Sequence, residues 1–143
     1  IGWTIATGDI SVEPLILFLI IFLWTPSHFW ALSLYKSSDY KKAKIPMLPI
    51  ISGTKTTKMN ILVYALMMLP AIISPYFLNF ASIFYLSVAS MMSAFYVYLC
   101  LRLYRSKIAS ISNKIARKIF IYSIFYLFFI FLILLIDNLL KII

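Results

Sequence analysis

The residues best suited to chemistry lie together, where a membrane-length apolar segment gives way to a lysine-rich one. His28, the chain's only histidine, lies between Trp24 and Trp30 in a segment without charged residues, and Asp39 follows among several lysines. A polar side chain inside a bilayer is costly, so an intramembrane histidine is a functional candidate by default. On a continuous helix, His28, Tyr35 and Asp39 would fall within about 40° of one another, with His28 about 16 Å deeper than Asp39. This spacing predicts a polar column that runs from the membrane surface to its interior.

A single carboxylate among cations has two interpretations. Asp39 could form an ordinary surface ion pair with Lys36 or Lys42, which has little energetic weight. Alternatively, Asp39 helps to hold Mg²⁺ against a diphosphate while the lysines neutralise the remaining charge, since Mg²⁺ commonly binds one or two carboxylates together with phosphate oxygens. One aspartate cannot form such a site alone, so the residues by themselves favour the ion pair.

The composition predicts an all-α integral membrane protein. Hydrophobic residues make up 64% of the chain and charged residues 12%, about half the charged fraction of an ordinary soluble domain. A helix needs about 20 apolar residues to cross a bilayer. The uncharged stretch from Met59 to Leu101 is too long for one span, and Pro75 and Asn79 indicate a break within it. We therefore predict four spans, at about residues 14–35, 60–77, 80–101 and 119–136.

The distribution of charge orients these spans. Twelve of the thirteen lysines and arginines fall in two segments, six in residues 36–58 and six in residues 102–118. Because short loops rich in Lys and Arg stay in the cytoplasm, we expect both segments to be cytoplasmic and the protein to be multi-pass in the inner membrane. The net charge of +9 is then explained by orientation and anionic lipid headgroups, without nucleic acid. The opposite side carries only Asp9, Glu13, Asp137 and Lys141.

The run WTPSHFWALSLYKSSDYKKAKIPMLP, residues 24–49, resembles the second signature region of the protohaem IX farnesyltransferases, a family of the UbiA-type intramembrane prenyltransferase superfamily. The similarity extends to Ile-Gly-Trp at the start and to Ala116-Arg117-Lys118 before the last span. It implies a bundle of nine spans, of which residues 1–143 would form the C-terminal part with the last four. It also implies transfer of a farnesyl group from farnesyl diphosphate to a vinyl group of haem B. Haem O and diphosphate would be the products, with Mg²⁺ required.

The resemblance also implies roles for individual residues. Asp39 and Tyr40 match the family's second acidic motif, near the metal and the diphosphate, with Asp39 as a metal ligand. Lys36 and Lys42 are predicted diphosphate contacts on the basis of their charge and place. His28 matches the family's histidine and would contact haem through its iron or a propionate. The alternative is a core histidine bonded to a neighbouring helix.

Several positions depart from the family's pattern. Ser27 stands where a second proline is frequent, Ser38 where many relatives have another acid, and Lys44 where glycine or asparagine is usual. Tyr35 either lines the cavity or is an interfacial tyrosine. The family's first aspartate-rich motif does not occur in the sequence. We therefore expect the chain to be an incomplete part of a larger enzyme, either partnered by a separate N-terminal half or a remnant. Membrane lipid and terminal oxidase assembly factors are further expected partners.

Three other functions compete with this interpretation. The chain could be a non-catalytic membrane subunit or scaffold whose basic loops bind lipid or a partner. It could belong to a quinone-directed relative with the same fold and metal chemistry, although the proline–histidine–aromatic cluster favours haem as the acceptor. A transporter fragment is the weakest alternative, because only His28 lies deep and no repeat is visible.

Overall fold

A computed structural model describes residues 2–142 of the chain, with side chains through residue 140. Ile1 of the Ile-Gly-Trp motif and the charge of Lys141 therefore lie outside the described residues and side chains. The described part is all-helical, as predicted. Its helices are α1 (Gly2–Thr7), α2 (Val12–Tyr35), α3 (Ser37–Lys42), α4 (Leu48–Ile51), α5 (Gly53–Phe77), α6 (Ile83–Arg105) and α7 (Ala109–Ile142). Among these, α2, α5, α6 and α7 are long and apolar enough to cross a membrane, which confirms the prediction of four long apolar helices.

Three of the four long helices, α5, α6 and α7, extend further into the basic segments than the predicted spans do. Helix α5 begins at Gly53 instead of near residue 60, and α7 begins at Ala109 instead of near residue 119. Charge keeps a residue out of hydrocarbon, but Lys and Arg are good helix formers. The spans predicted from charge are therefore shorter than the helices. Only residues 106–108 separate α6 from α7.

The long helices pack into a four-membered ring. Helix α2 packs against α5 and α7, and α6 packs against the same two helices. Small residues such as Ala31, Ala65 and Ala89 are buried where helices meet, which lets the backbones approach closely. Large apolar side chains such as Phe18 and Phe128 are more than half exposed. A surface of this kind suits a lipid surrounding.

Polar side chains inside the ring are paired with one another. The Ser27 and Tyr96 hydroxyl oxygens lie 2.7 Å apart, and those of Ser93 and Tyr126 lie 2.8 Å apart. The rings of Tyr96 and Tyr126 stack with their centroids 5.2 Å apart. Because unpaired polar groups are costly in an apolar interior, these bonds fix how α2, α6 and α7 sit against one another.

A single non-helical residue interrupts the chain at the end of α2. Lys36 has φ −101° and ψ 15°, outside the helical region, and separates α2 from α3. The single continuous helix from His28 to Asp39, on which the predicted polar column depended, is therefore interrupted. Beyond α3, the short helix α4 folds back against α2 and α5 with Pro49 buried. This arrangement holds the acidic segment over the loop-side end of the ring.

The opposite end of the ring is closed by a tight turn and a carboxylate. Asn79, in the turn between α5 and α6, has φ +62°, a conformation that asparagine tolerates better than most residues. Asp137 of α7 accepts hydrogen bonds from the Ser82 backbone N–H, at 2.6 Å, and from the Ser82 hydroxyl. A carboxylate that binds free N–H groups at the start of a helix stabilises it. Asp137 therefore links the start of α6 to α7.

Candidate functional site

A cleft of about 520 Å³ opens at the loop-side end of α2 and α7. It is lined by Tyr35, Lys36, Ser38, Asp39 and Arg117. Tyr35 ends α2, Ser38 and Asp39 lie on α3, and Arg117 comes from the third turn of α7. The structure thus brings together three of the residues predicted from the sequence, Tyr35, Lys36 and Asp39, and adds a cation from a distant part of the chain.

The acidic and basic groups of the cleft interact directly. Lys36 Nζ lies 3.1 Å from Asp39 Oδ2, and the Ser38 hydroxyl donates to Asp39 Oδ1 at 3.4 Å. The hydrogen bond from Lys36, together with its charge, lowers the pKa of Asp39 below its usual value, so the carboxylate is ionised at neutral pH. Both side chains are more than half exposed, and an exposed ion pair is weakly held. Lys36 and Asp39 can therefore turn toward a charged ligand at little cost.

Two of the predicted site residues lie beside the cleft and do not line it. Lys42, at the end of α3, is exposed, and its charge also contributes to the lowered pKa of Asp39. Tyr40 is half-buried, and its backbone carbonyl accepts the N–H of Ile45 at 3.0 Å. Tyr40 thus helps to shape the turn that carries the acidic segment.

His28 lies outside the cleft, in the interface between α2 and α7. It is only 8% exposed. Its ring stacks between Trp24 and Phe120, with centroid distances of 4.3 and 4.5 Å. Its Nδ1 lies 2.7 Å from the hydroxyl oxygen of Ser123 on α7. Both faces of the imidazole are covered, and one ring edge is anchored to the neighbouring helix.

The hydrogen bonds around Ser123 assign the tautomer of His28. The Ser123 hydroxyl donates to the backbone carbonyl of Phe120 at 2.7 Å, so it accepts from the imidazole. Nδ1 therefore carries the proton, and Nε2 of the neutral ring keeps a lone pair. An imidazole held through Nδ1–H in this way presents Nε2 as a metal ligand or hydrogen-bond acceptor.

A separate apolar groove lies deeper along the same two helices. It has a volume of about 710 Å³ and is lined by Ile21 and Trp24 of α2 together with aromatic and aliphatic residues of α7, among them Phe128 and Phe131. Along α2, Trp24 lies about 16 Å from Tyr35, and along α7, Phe128 lies about the same distance from Arg117. We call this interface between α2 and α7, with the cleft at one end and the groove deeper in, the α2–α7 seam. It is polar at the loop side and apolar deeper in, which suits an anionic ligand with a long apolar tail.

The residues that line the cleft can supply some, but not all, of the ligands that Mg²⁺ needs. Asp39 supplies one ionised carboxylate, an oxygen ligand of the kind that Mg²⁺ prefers. Among residues 2–140, no group of three or more His, Cys, Asp or Glu side chains comes close enough to hold a metal ion. Any ion at Asp39 would therefore take most of its oxygen ligands from a phosphorylated substrate, water or other residues.

Arg117 is the site residue that the sequence analysis missed. It was placed in the basic segment 102–118, whereas the structure places it on α7. A signal was present, because Ala116-Arg117-Lys118 is one of the runs that carry the family resemblance. Its place opposite Asp39 depends on how α7 packs against α2, which no local pattern reveals.

Comparisons with known proteins identify the family of the chain. The sequence profile of the UbiA prenyltransferase family matches residues 1–124. The "Protoheme IX farnesyltransferase" of Pelagibacter ubique is 59% identical over 140 residues, which cover 98% of the chain and 46% of that relative. Proteins with the same name from Parvibaculum lavamentivorans and Rhizobium rhizogenes are 45% and 43% identical, over 98% and 97% of the chain and 44% of each relative. The chain thus spans less than half the length of these relatives. No solved structure matches it.

Proposed function

Because the chain belongs to the UbiA prenyltransferase family, we propose that it forms the C-terminal part of a site that transfers a farnesyl group from farnesyl diphosphate to haem B. The α2–α7 seam carries this proposal, with its charged cleft above an apolar groove. Farnesyl diphosphate has the same polarity, a strongly anionic head on a hydrocarbon tail. The names of the similar proteins supply the reaction class and the haem acceptor. Haem O and diphosphate are the proposed products, and the inner membrane the proposed location.

In this proposal the cations of the cleft receive the diphosphate. Arg117 offers a planar guanidinium that can bind phosphate oxygens through two N–H groups, and Lys36 adds a mobile point charge. Lys42 lies close enough to strengthen the positive field as the diphosphate arrives. Tyr35 lines the cleft at the end of α2. Tyr40 keeps the acidic segment in place through the turn to Ile45.

We propose that Mg²⁺ binds in this cleft between Asp39 and the substrate diphosphate. Asp39 would hold it through one carboxylate oxygen, and substrate phosphate oxygens would supply further ligands. When bound, Mg²⁺ neutralises negative charge on the departing diphosphate. Because the Lys36 interaction keeps Asp39 ionised, the ligand is available at neutral pH.

The aromatic and apolar residues between α2 and α7 also stabilise positive charge that develops during the proposed reaction. The bond between the first farnesyl carbon and the diphosphate oxygen breaks, and a bond from that carbon to one haem vinyl carbon forms. The cation that this leaves on the other vinyl carbon takes up a water molecule, which loses a proton and remains as a hydroxyl group. Positive charge develops on the allylic group as the diphosphate leaves. The aromatic faces nearest the cleft, Tyr35 and Phe120 with ring centroids 5.9 Å apart, stabilise such charge, and the apolar groove deeper between the helices holds the rest of the farnesyl chain.

His28 is proposed as a haem contact through Nε2. The bond from Nδ1–H to Ser123 sets the tautomer, and the stacked rings of Trp24 and Phe120 fix the orientation of the ring. Both features favour a preorganised ligand, since a histidine that binds metal usually donates its other N–H to a fixed partner.

A chimera tests the proposal. This chain would replace the matching region of the Pelagibacter ubique relative, and haem O would be measured by mass spectrometry of haems extracted from a host without its own enzyme. We expect the chimera to make haem O. We also expect Asp39→Asn and Arg117→Gln each to lower the yield by more than about tenfold, because each removes a charged contact to the metal or the diphosphate.

Matched controls separate the site from general charge effects. Asp9→Asn and Arg105→Gln remove the same charges at exposed positions away from the cleft and should leave haem O production nearly unchanged. A chimera that is inserted in the membrane but makes no haem O would refute the proposed reaction. Full activity of both cleft variants would remove Asp39 and Arg117 from the site.

A further inference from the structure

A second amphipathic cavity lies between α6 and α7. It has a volume of about 590 Å³, and aromatic and aliphatic side chains line most of it, including Phe95 and Tyr98 of α6 and Phe125 of α7. Three cations line the rest: Arg102, Lys114 and Lys118. The cavity therefore combines positive charge with apolar surface, independently of the proposed transfer site.

This cavity shares no lining residue with the cleft or the groove of the α2–α7 seam. On α7, Lys114 and Lys118 are one turn apart and fall about 60° and 100° around the helix from Arg117, which faces the cleft. The two sites thus occupy different faces of the same helix. A ligand in one does not contact the residues of the other.

The cavity changes polarity along the helix axes. Arg102 lies near the loop-side end of α6, and Phe95 lies about 10 Å deeper along the same helix. Helix α7 runs the opposite way, so Phe125 lies about 10 Å deeper than Lys118. The guanidinium of Arg102 stands 5.8 Å from the centroid of the Tyr98 ring, at the boundary between the two halves. Charge at the surface and aromatic side chains beneath it match the layering of one membrane leaflet.

The three cations of this cavity have no acidic side chain beside them among the described residues that line it, which favours binding of an external anion. Like charges one turn apart on a helix repel each other. The one ion pair found within residues 2–140 joins Lys36 to Asp39, on the other face of the bundle. Burying apolar surface beside an unpaired basic cluster favours a ligand that brings both an anion and hydrocarbon.

We propose that this cavity binds an anionic phospholipid of the surrounding membrane. Arg102, Lys114 and Lys118 hold its phosphate, and an acyl chain lies against the aromatic side chains between α6 and α7. Basic pockets between membrane helices on the positively charged side are suited to such headgroups. A zwitterionic lipid would offset its own phosphate charge and gain less from the three cations.

The test uses the purified full chain in detergent, titrated with phosphatidylglycerol, with bound lipid counted by native mass spectrometry. Combining Arg102→Gln, Lys114→Gln and Lys118→Gln should weaken the tightest binding event at least about tenfold. The control removes three cations of a different cleft, by combining Lys55→Gln, Arg105→Gln and Lys107→Gln. It has the same net charge and should weaken binding less than about threefold. Equal weakening in both variants would show diffuse charge attraction and overturn the proposal.

Other ligands identify the occupant. Phosphatidylcholine tests the need for net negative charge, and glycerol phosphate tests the need for an acyl chain; both should bind at least about tenfold more weakly than phosphatidylglycerol. Equal binding of glycerol phosphate would assign the cavity to a free phosphate ester. Displacement of the lipid by stoichiometric farnesyl diphosphate would assign it to a substrate. A dimer lost only in the first variant would assign it to a second copy. Each of these three results overturns the proposal.

Photolabelling keeps the test independent of variant folding. A photoreactive phosphatidylglycerol, added to the unchanged chain, should label peptides that contain residues 95–102 and 111–125. Labelling concentrated on other helices would overturn the proposal.

Discussion

The two ring nitrogens of His28 are not equivalent in this protein. Nδ1 is bound to Ser123, whose own hydroxyl proton goes to the carbonyl of Phe120. The indole of Trp24 donates to the backbone carbonyl of Ser123 at 2.8 Å and stacks on the imidazole. These contacts could serve packing alone, because a buried histidine needs partners wherever it occurs. They also prepare Nε2 as a ligand, and experiment can distinguish the two roles.

Replacing His28 by alanine in the chimera should weaken haem binding roughly 10- to 100-fold, because the proposed Nε2 contact is lost. The absorption spectrum of the purified chimera with haem measures both affinity and ligation. Added imidazole should restore the spectrum, since a free imidazole can enter the space left by the side chain. A purely structural role predicts either unchanged haem affinity or a loss that imidazole does not reverse, and either result would assign His28 to packing.

The residues that sequence could identify are those whose type is unusual for their surroundings. His28 is the only histidine of the chain, and Asp39 is an acid among lysines; both are visible without a structure. Ser123 and Arg117 are ordinary residues by type. Their importance comes from residues more than 70 positions away in the chain: Ser123 contacts His28 of α2, and Arg117 lines a cleft with Asp39 of α3. Contacts between distant helices depend on register, which no local pattern contains.

At the scale of elements, a buried cation explains why α5 reaches into the basic segment. The ammonium of Lys58 donates to the Ser106 carbonyl at 2.9 Å, to the Ser106 hydroxyl at 3.4 Å and to the Ser112 hydroxyl at 2.7 Å. These acceptors lie at the end of α6 and on the first turn of α7. Lys58 thus fastens three helices at their loop-side ends. The sequence analysis treated this lysine as a loop charge because its partners, like that of His28, lie on other elements.

Lys58→Met should destabilise the bundle by about 1–3 kcal/mol, because the aliphatic stem remains while the charged hydrogen bonds to Ser106 and Ser112 are lost. Unfolding of the purified chain, followed by the loss of helical circular dichroism in denaturant, measures the change in free energy of unfolding. The control is Lys55→Met, one turn earlier on α5, where the side chain is exposed; this change should fall within about 0.5 kcal/mol of zero. Equal effects of the two substitutions would contradict the role given to Lys58.

For the whole molecule, charge divides the bundle into two unlike ends. The loop-side end carries twelve of the thirteen lysines and arginines, the cleft of Asp39 and the cationic part of the α6–α7 cavity. The other end has the tight turn before α6 and the carboxylate of Asp137 bound to Ser82. Fold class and the number of long helices followed from hydropathy alone. The ring order of the helices did not, because every long helix is apolar over most of its surface and no stripe identifies its neighbours.

The cytoplasmic position of the basic end is the prediction on which the site and lipid proposals both depend. Single cysteines at Lys41 and at Leu78 report the two ends, since both side chains are exposed. The background carries Cys100→Ala, a change of a fully buried thiol. In intact spheroplasts, a membrane-impermeant maleimide should label Leu78→Cys, and it should label Lys41→Cys only after permeabilisation, because Lys- and Arg-rich loops are retained inside. Labelling of Lys41→Cys from outside would place the Asp39 cleft on the outer face, away from cytoplasmic farnesyl diphosphate, and would contradict the proposed function.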